Sequence, residues 1–494
     1  MAIESQVVRN AQTVEYGKFV EIKDDSRFPA VSVTRYQYPD DTNAFPNNQN
    51  VPPSTTVEVY PKFAVLTYLT NASDIDNINV SYPKDAGNLD AFGRLRVSSP
   101  TTLFDSKTLH NKSSLFWSQT AVGTGADVRF TGENTDASVT LSAAANGAYA
   151  IRQTTQRFNY QPGKSQLCLY TGVLTPVSNA YKRLGSFQSL TAAPYTPNCG
   201  LYFETQTDSP SSIAVIQQNN SFLVPTVSAR REEWNIDKLD GRGPSGKTLQ
   251  LSAANIFLID YEWLGVGRTR YGVVIDGQVC YCHAFNNAGN VAGAYMLTPN
   301  LPVRAEIRQV GPGTATMKMI CCSIMSEAGA DFTGVTRAVD TGTAGVPITV
   351  TGNRRAALGL RLQADKLDSV NELLNVSVLG LVTGAANIAP IRYELVANPT
   401  LGGSAVTWTN IDAANSNFQY SVVPDNTVTV TGGTVITSGY TSQGSTIDLS
   451  GFRFEKFLRL GCSVTGVRDE IWLVLTPLAT LVASHASITF MESD

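Results

Sequence analysis

The sequence predicts an all-β fold of several domains: a central antiparallel β-sandwich, a smaller C-terminal β-sandwich, and an N-terminal arm or small β-module. Three observations predict it. Strand-length runs bounded by Gly, Pro or Asn follow one another along most of the chain, with almost no helical periodicity. The length of 494 residues exceeds what one hydrophobic core usually supports. Charged residues make up 16% of the chain, against about 25% in ordinary soluble proteins, and Thr, Ser, Asn and Gly fill the difference. A surface of short polar side chains suits repeated strands and turns.

Residues 1–84 read as the arm or module. They are rich in Pro, Asn and Asp, and the loop-like passage 38–54 separates two alternating stretches, 30–34 and 56–60. Residues 85–385 read as the central sandwich, with strands expected at 165–170, 256–263, 271–275, 303–307, 316–320 and 358–362. One short helix is expected at 364–374. The small polar stretch 383–390 reads as a linker, so 386–494 becomes the C-terminal sandwich. Within it, residues 426–436 read as strand, Gly432-Gly433 hairpin turn, strand. The apolar run 471–486 is interrupted by Pro477 and Ser484 and falls short of the roughly 20 residues of a membrane helix. It reads as two strands with a turn, so no membrane insertion is expected.

The net charge of −4 lacks the excess of basic groups that nucleic-acid binding uses. The N-terminus has neither a basic start nor an apolar run, so synthesis in the cytoplasm without a signal peptide is expected. Seven cysteines, few and odd in number, read as buried free thiols.

Several segments invite a chemical reading. Residues 241–248, Gly-Arg-Gly-Pro-Ser-Gly-Lys-Thr, match the P-loop pattern, but that loop must leave a buried parallel strand and enter a helix. Polar residues precede it, Leu249 to Ser252 alternate like a strand, and Pro244 removes an amide. A turn in an antiparallel sheet is the better reading. Gly265 and Gly267 lack the third glycine and the helix of a dinucleotide fingerprint. If Leu264 to Val266 form a three-residue turn, Glu262 faces Arg268 and Asp260 faces Arg270, pairs worth roughly 0.2 to 1 kcal/mol each. Tyr261, Trp263 and Tyr271 then point to the core.

Cys280 and Cys282 share one strand face and His283 takes the other, which disfavours zinc. Asp276, Asn286, Asn287 and Asn290 lack the spacing of an EF-hand loop. No metal or other cofactor is therefore expected. The three histidines come without a nucleophile elbow. Glu204, Asp208, Glu232, Glu233 and Glu262 could supply paired carboxylates, but ion pairing or solvation accounts for each more simply. No catalytic residue is assigned. Among aromatics, Trp117, Trp234 and Trp263 are expected in the core, and Tyr181, Tyr195, Tyr202 and Tyr295 nearer the surface.

Four segments carry a resemblance: Asp90-Ala91-Phe92-Gly93-Arg94-Leu95-Arg96-Val97-Ser98 continuing to Leu103-Phe104-Asp105-Ser106, Asn159-Tyr160-Gln161-Pro162-Gly163-Lys164-Ser165, Trp234 to Gly241, and Glu262 to Arg268. In this order the chain resembles virion structural proteins of tailed bacteriophages and some large DNA viruses. The resemblance implies a lectin-like, laminin G-like or jelly-roll sandwich in a particle component: a fibre, spike or connector of capsid or tail. It implies partners among other virion proteins and a homo-oligomer, a trimer by analogy with viral appendages. Recognition of host surface glycans is the alternative role, and cleavage of polysaccharide a third. In the first segment Gly93, between Phe92 and Arg94, suggests a bend where the arm enters the sandwich. Arg94 and Arg96 would share a face there.

Overall fold

The computed structural model describes Val20–Glu21, Val33–Thr34 and residues 100–493, apart from 132–136, 206–211, 222, 328, 330–333, 349–350, 382–389, 424–426, 442–444, 449–458 and 480–482. Asp90, Phe92, Gly93, Arg94 and Arg96 lie outside the described residues, as does Asp208. The chain divides into two compact units, residues 1–86 and 87–494. In the first, Val20–Glu21 pairs antiparallel with Val33–Thr34.

The larger unit holds two β-sandwiches, and every strand pairing between its named strands is antiparallel. The fold is all-β. In the first sandwich, a 7-stranded sheet runs in the order Val227–Arg230, Ile213–Asn219, Pro197–Thr205, Ala180–Ser189, Val303–Gln309, Tyr149–Thr154, Trp117–Val122. Its 8-stranded partner runs Gln278–Asn286, Arg268–Ile275, Asn255–Tyr261, Gln166–Val173, Ala315–Ser326, Val139–Ala143, Asp127–Phe130, with Thr101–Lys107 also paired to Ala315–Ser326. Alternation explains the core. Leu184, Leu201, Phe203, Val303 and Ile307 of one sheet meet Tyr170, Phe257, Ile259, Tyr271 and Met317 of the other, all buried.

The second sandwich pairs a 4-stranded sheet (Val335–Asp340, Ala483–Ser493, Val370–Leu381, Ser445–Asp448) with an 8-stranded one built around Arg355–Leu362, Glu470–Pro477 and Ile391–Ala397. Leu373, Val376, Ile488 and Phe490 pack on Leu358, Leu360, Leu395 and Leu473. The sheets therefore divide earlier than residue 385. Val335–Asp340, Arg355–Leu362 and Val370–Leu381 belong to the second sandwich, and the polar stretch 383–390 falls between two of its strands.

Two local expectations are corrected. Residues 364–374 contain no helix: turns lead into the strand Val370–Leu381. A register shift between Leu373 and Asn375 sets two leucines side by side, which breaks the period of two and imitates a helical spacing. Gly432 and Gly433 do turn the chain, with φ of +60° and +75°. The strands on either side do not pair with each other, however. Thr429–Thr431 joins Thr400–Gly402 and Arg355, whereas Thr434–Thr441 lines up on Ile391–Ala397. The apolar run after residue 470 is two strands, Glu470–Pro477 and Ala483–Ser493, in different sheets. No helix among the described residues is long and apolar enough to cross a membrane.

Candidate functional site

Two of the segments that carry the resemblance, 159–165 and 262–268, meet in the first sandwich. The strands Asn255–Tyr261 and Arg268–Ile275 place Asp260 opposite Arg270, and Tyr261 and Tyr271 in the core. Asp260 and Arg270 form an ion pair with both side chains fully enclosed. Asp260 also accepts the hydroxyls of Ser165 at 2.6 Å and Tyr281 at 3.0 Å, and the Arg270 guanidinium lies 4.4 Å over the Tyr281 ring. Two residues on, the Glu262 amide donates to the Arg268 carbonyl at 3.2 Å and closes the turn. The Glu262 carboxylate accepts the Tyr160 hydroxyl and, at 3.1 Å, the Gly163 amide. Tyr160 in turn accepts the Trp263 amide at 3.0 Å. Burial, and then the neighbouring Glu262, drive the Tyr160 hydroxyl well above its usual range, so it remains a proton donor.

Gly267 is required here by space. A Cβ at this position would lie 1.9 Å from the Glu262 carbonyl. The segment from Trp234 covers the sheet's outer strand: Asn235 clips the Ala284 backbone through both amide atoms at 2.9 Å, and Asp237 accepts the amides of Leu239 and Ser245. The P-loop-like residues thus lie in a turn bridged by Asp240 and Thr248, with Lys247 paired to Asp276 at 2.6 Å. The strand Asn255–Tyr261 that follows is antiparallel to both neighbours.

A cleft of about 730 Å³ opens between the two sandwiches beside this network. Asn159, Tyr160, Lys164, Trp263 and Asn300 line it from the first sandwich. Lys366, Asp368, Ser369, Asn417 and Ser493 line it from the second. Trp263 is half-buried and stands edge-to-face on Tyr160, with centroids 6.1 Å apart. The Asn300 side chain links the walls: it accepts the Tyr160 amide at 3.1 Å and donates to the Asp368 carbonyl at 3.3 Å.

Of the carboxylates considered for catalysis, Glu204, Glu232 and Glu233 are engaged away from this network, and Asp208 lies outside the described residues. Glu204 pairs with Arg183 at 2.5 Å, and Arg183 reaches Glu306 at 2.7 Å, which Arg304 and Arg308 also hold. Burial opposes the charge on Glu306, but Arg304, Arg183 and Arg308 together hold its carboxyl down at about 2. Glu232 accepts the Ser212 hydroxyl and Glu233 the Arg230 amide.

The expected cysteines are free thiols, buried except for the partly exposed Cys321. No group of three or more His, Cys, Asp or Glu among the described residues could hold a metal ion. Asn287 bonds Gln217 and the Gly267 carbonyl, and Asn290 bonds the Asn286 carbonyl. Tyr202 and Tyr295, expected near the surface, are buried, the latter with its hydroxyl on the Glu262 carbonyl at 3.3 Å. Trp117 and Trp234 are core residues. Missed altogether were the Arg183–Glu306 cluster and the second wall of the cleft, whose members are far apart in sequence and carry no spacing signal.

No family model matches the chain, and no curated protein matches it. Among solved structures it is similar to the carbohydrate recognition domain of Emp46p in its metal-free form, at 9% identity over 47% of this chain and 100% of that one, with a TM-score of 0.31. It is also similar to the legume lectin-like domain from Entamoeba histolytica (10% identity, 46% and 98% covered, TM-score 0.27). A third is the β-glucanase of Bacillus licheniformis (9%, 45% and 96%, 0.30).

Proposed function

We propose that the chain is a structural component of a virus particle, an exposed fibre, spike or connector of capsid or tail that acts by assembly with other virion proteins. One observation carries this reading: the three resemblance segments within the described residues are spent on architecture. They supply the Ser165 hydroxyl to the enclosed Asp260, form the Tyr160–Glu262 bond, and make the clip on the outer strand. Mass spectrometry and immunogold microscopy of purified particles test it. The protein is expected on the particle surface in stoichiometric amounts, and its absence from intact particles defeats the proposal. Light scattering after size exclusion is expected to give a homotrimer.

Glycan recognition is the second reading, favoured by the cleft in which an aromatic pair meets amide and hydroxyl groups. Weak single sites would act together in an oligomer on a particle. A polysaccharide-cleaving role finds less support, because a general acid needs a raised pKa and the ion-paired Glu306 is held at about 2. Release of reducing ends from capsule or lipopolysaccharide would restore that role.

A further inference from the structure

We infer that the cleft between the two sandwiches is a saccharide-binding site, which places the glycan-recognition reading on named residues and rests on it. Its volume of about 730 Å³ falls within the range of small-molecule sites. The lining has the two parts that a pyranose needs. The C–H faces of a sugar ring pack on aromatic rings, and Tyr160 fixes Trp263 edge-to-face through the ring contact and through its hydroxyl on the Trp263 amide. This platform is rigid before any ligand arrives, because Glu262 in turn holds Tyr160 from the enclosed side.

Sugar hydroxyls both donate and accept, so their partners must include both kinds of group. The cleft supplies them with capacity to spare. Lys366 and Asp368 stand two residues apart on the second wall, partly exposed, and neither side chain is engaged in an ion pair or hydrogen bond among the described residues. The Asn159 amide is likewise uncommitted, and Asn417 uses its amide nitrogen on Ser369 at 3.0 Å while leaving its carbonyl oxygen to the cleft. These groups lie on both sandwiches, so an occupant bridges them.

A peptide ligand fits less well. An extended peptide docks on a free strand edge, whereas this lining comes from turns and loops with the exception of Ser493 at a strand end.

The test uses the full chain on a densely printed array of bacterial and animal oligosaccharides, followed by calorimetric titration with the free oligosaccharide that binds best. Trp263→Ala is expected to weaken binding about tenfold or more, and Trp263→Tyr to retain most of it. Lys366→Ala and Asp368→Asn, on the other wall, are expected to weaken it several-fold with an unchanged melting temperature. These two carry the test should Trp263→Ala fail to fold. Wild-type affinity in the Lys366 and Asp368 variants, with array binding intact, overturns the site and leaves glycan recognition standing elsewhere on the protein. No binding by the wild-type chain on the array overturns both.

Discussion

Asp260 and Arg270 show what burial does to a pair that looks ordinary in sequence. Facing charges on a solvated sheet are worth a few tenths of a kcal/mol, but both side chains here are fully enclosed. Removing the cation leaves a carboxylate in the interior, so Arg270→Met is expected to cost roughly 3–5 kcal/mol in urea unfolding. The double variant Asp260→Leu/Arg270→Met should recover much of that loss. The Tyr160 hydroxyl is a second such point. Tyr160→Phe deprives the enclosed Glu262 of a donor and should cost roughly 1–3 kcal/mol, measured in the same way.

The same scale governs the pH response. His283 accepts the Asn235 amide on Nδ1 at 3.2 Å, and burial lowers its pKa from 6.5 to about 4. Between those values the unfolded chain takes up a proton that the folded one refuses, so stability falls as pH drops from 6.5 towards 4. Glu306 contributes stability that is complete above 4.5 and is lost as pH falls towards 2. Lys182, lowered by burial from 10.5 to about 8, acts at the other end: stability rises with pH between those values. Urea midpoints across pH should therefore decline in two acid stages, and His283→Gln should flatten only the upper one.

At the scale of elements, turns were legible where the backbone chemistry is local. Gly265 to Gly267 make the turn read from sequence, and the spacing put Asp260 across from Arg270. Gly267→Ala is expected to destabilise by roughly 1–3 kcal/mol or more, visible as a lower melting temperature, because the new methyl meets the Glu262 carbonyl rather than a side chain that could move. Pairing was less legible. Gly432-Gly433 carries the local signature of a hairpin, yet Thr434–Thr441 aligns with Ile391–Ala397, residues remote in sequence. The strand Val370–Leu381 was obscured by a register shift that only its partner Ala483–Ser493 imposes.

Over the whole molecule, the two sandwiches meet through the loop before Glu470–Pro477. The Cys462 amide donates to the Thr155 carbonyl at 3.1 Å, the Val464 amide to Ser118 at 3.3 Å, and the Val464 side chain packs with Tyr149 and Ile151. Gly461 allows this approach, since a Cβ there would lie 1.9 Å from the Thr155 carbonyl. Gly461→Val is expected to loosen the junction and split a single calorimetric transition into two, with the cleft's second wall displaced from Trp263. One unsplit transition at the wild-type temperature would contradict it.

Composition and the period of two by themselves determined the all-β class, the core positions of Tyr261 and Tyr271, and the turn at Gly265, because these depend on neighbours one or two residues away. Tertiary structure alone decided that Val335–Asp340 and Val370–Leu381 join the C-terminal sheets, that Asp260 and Arg270 lose their water, and that Trp263 faces Lys366 and Asp368 across a cleft. Sheet partners and enclosure are properties of segments separated by a hundred residues or so, and short-range spacing holds no record of them.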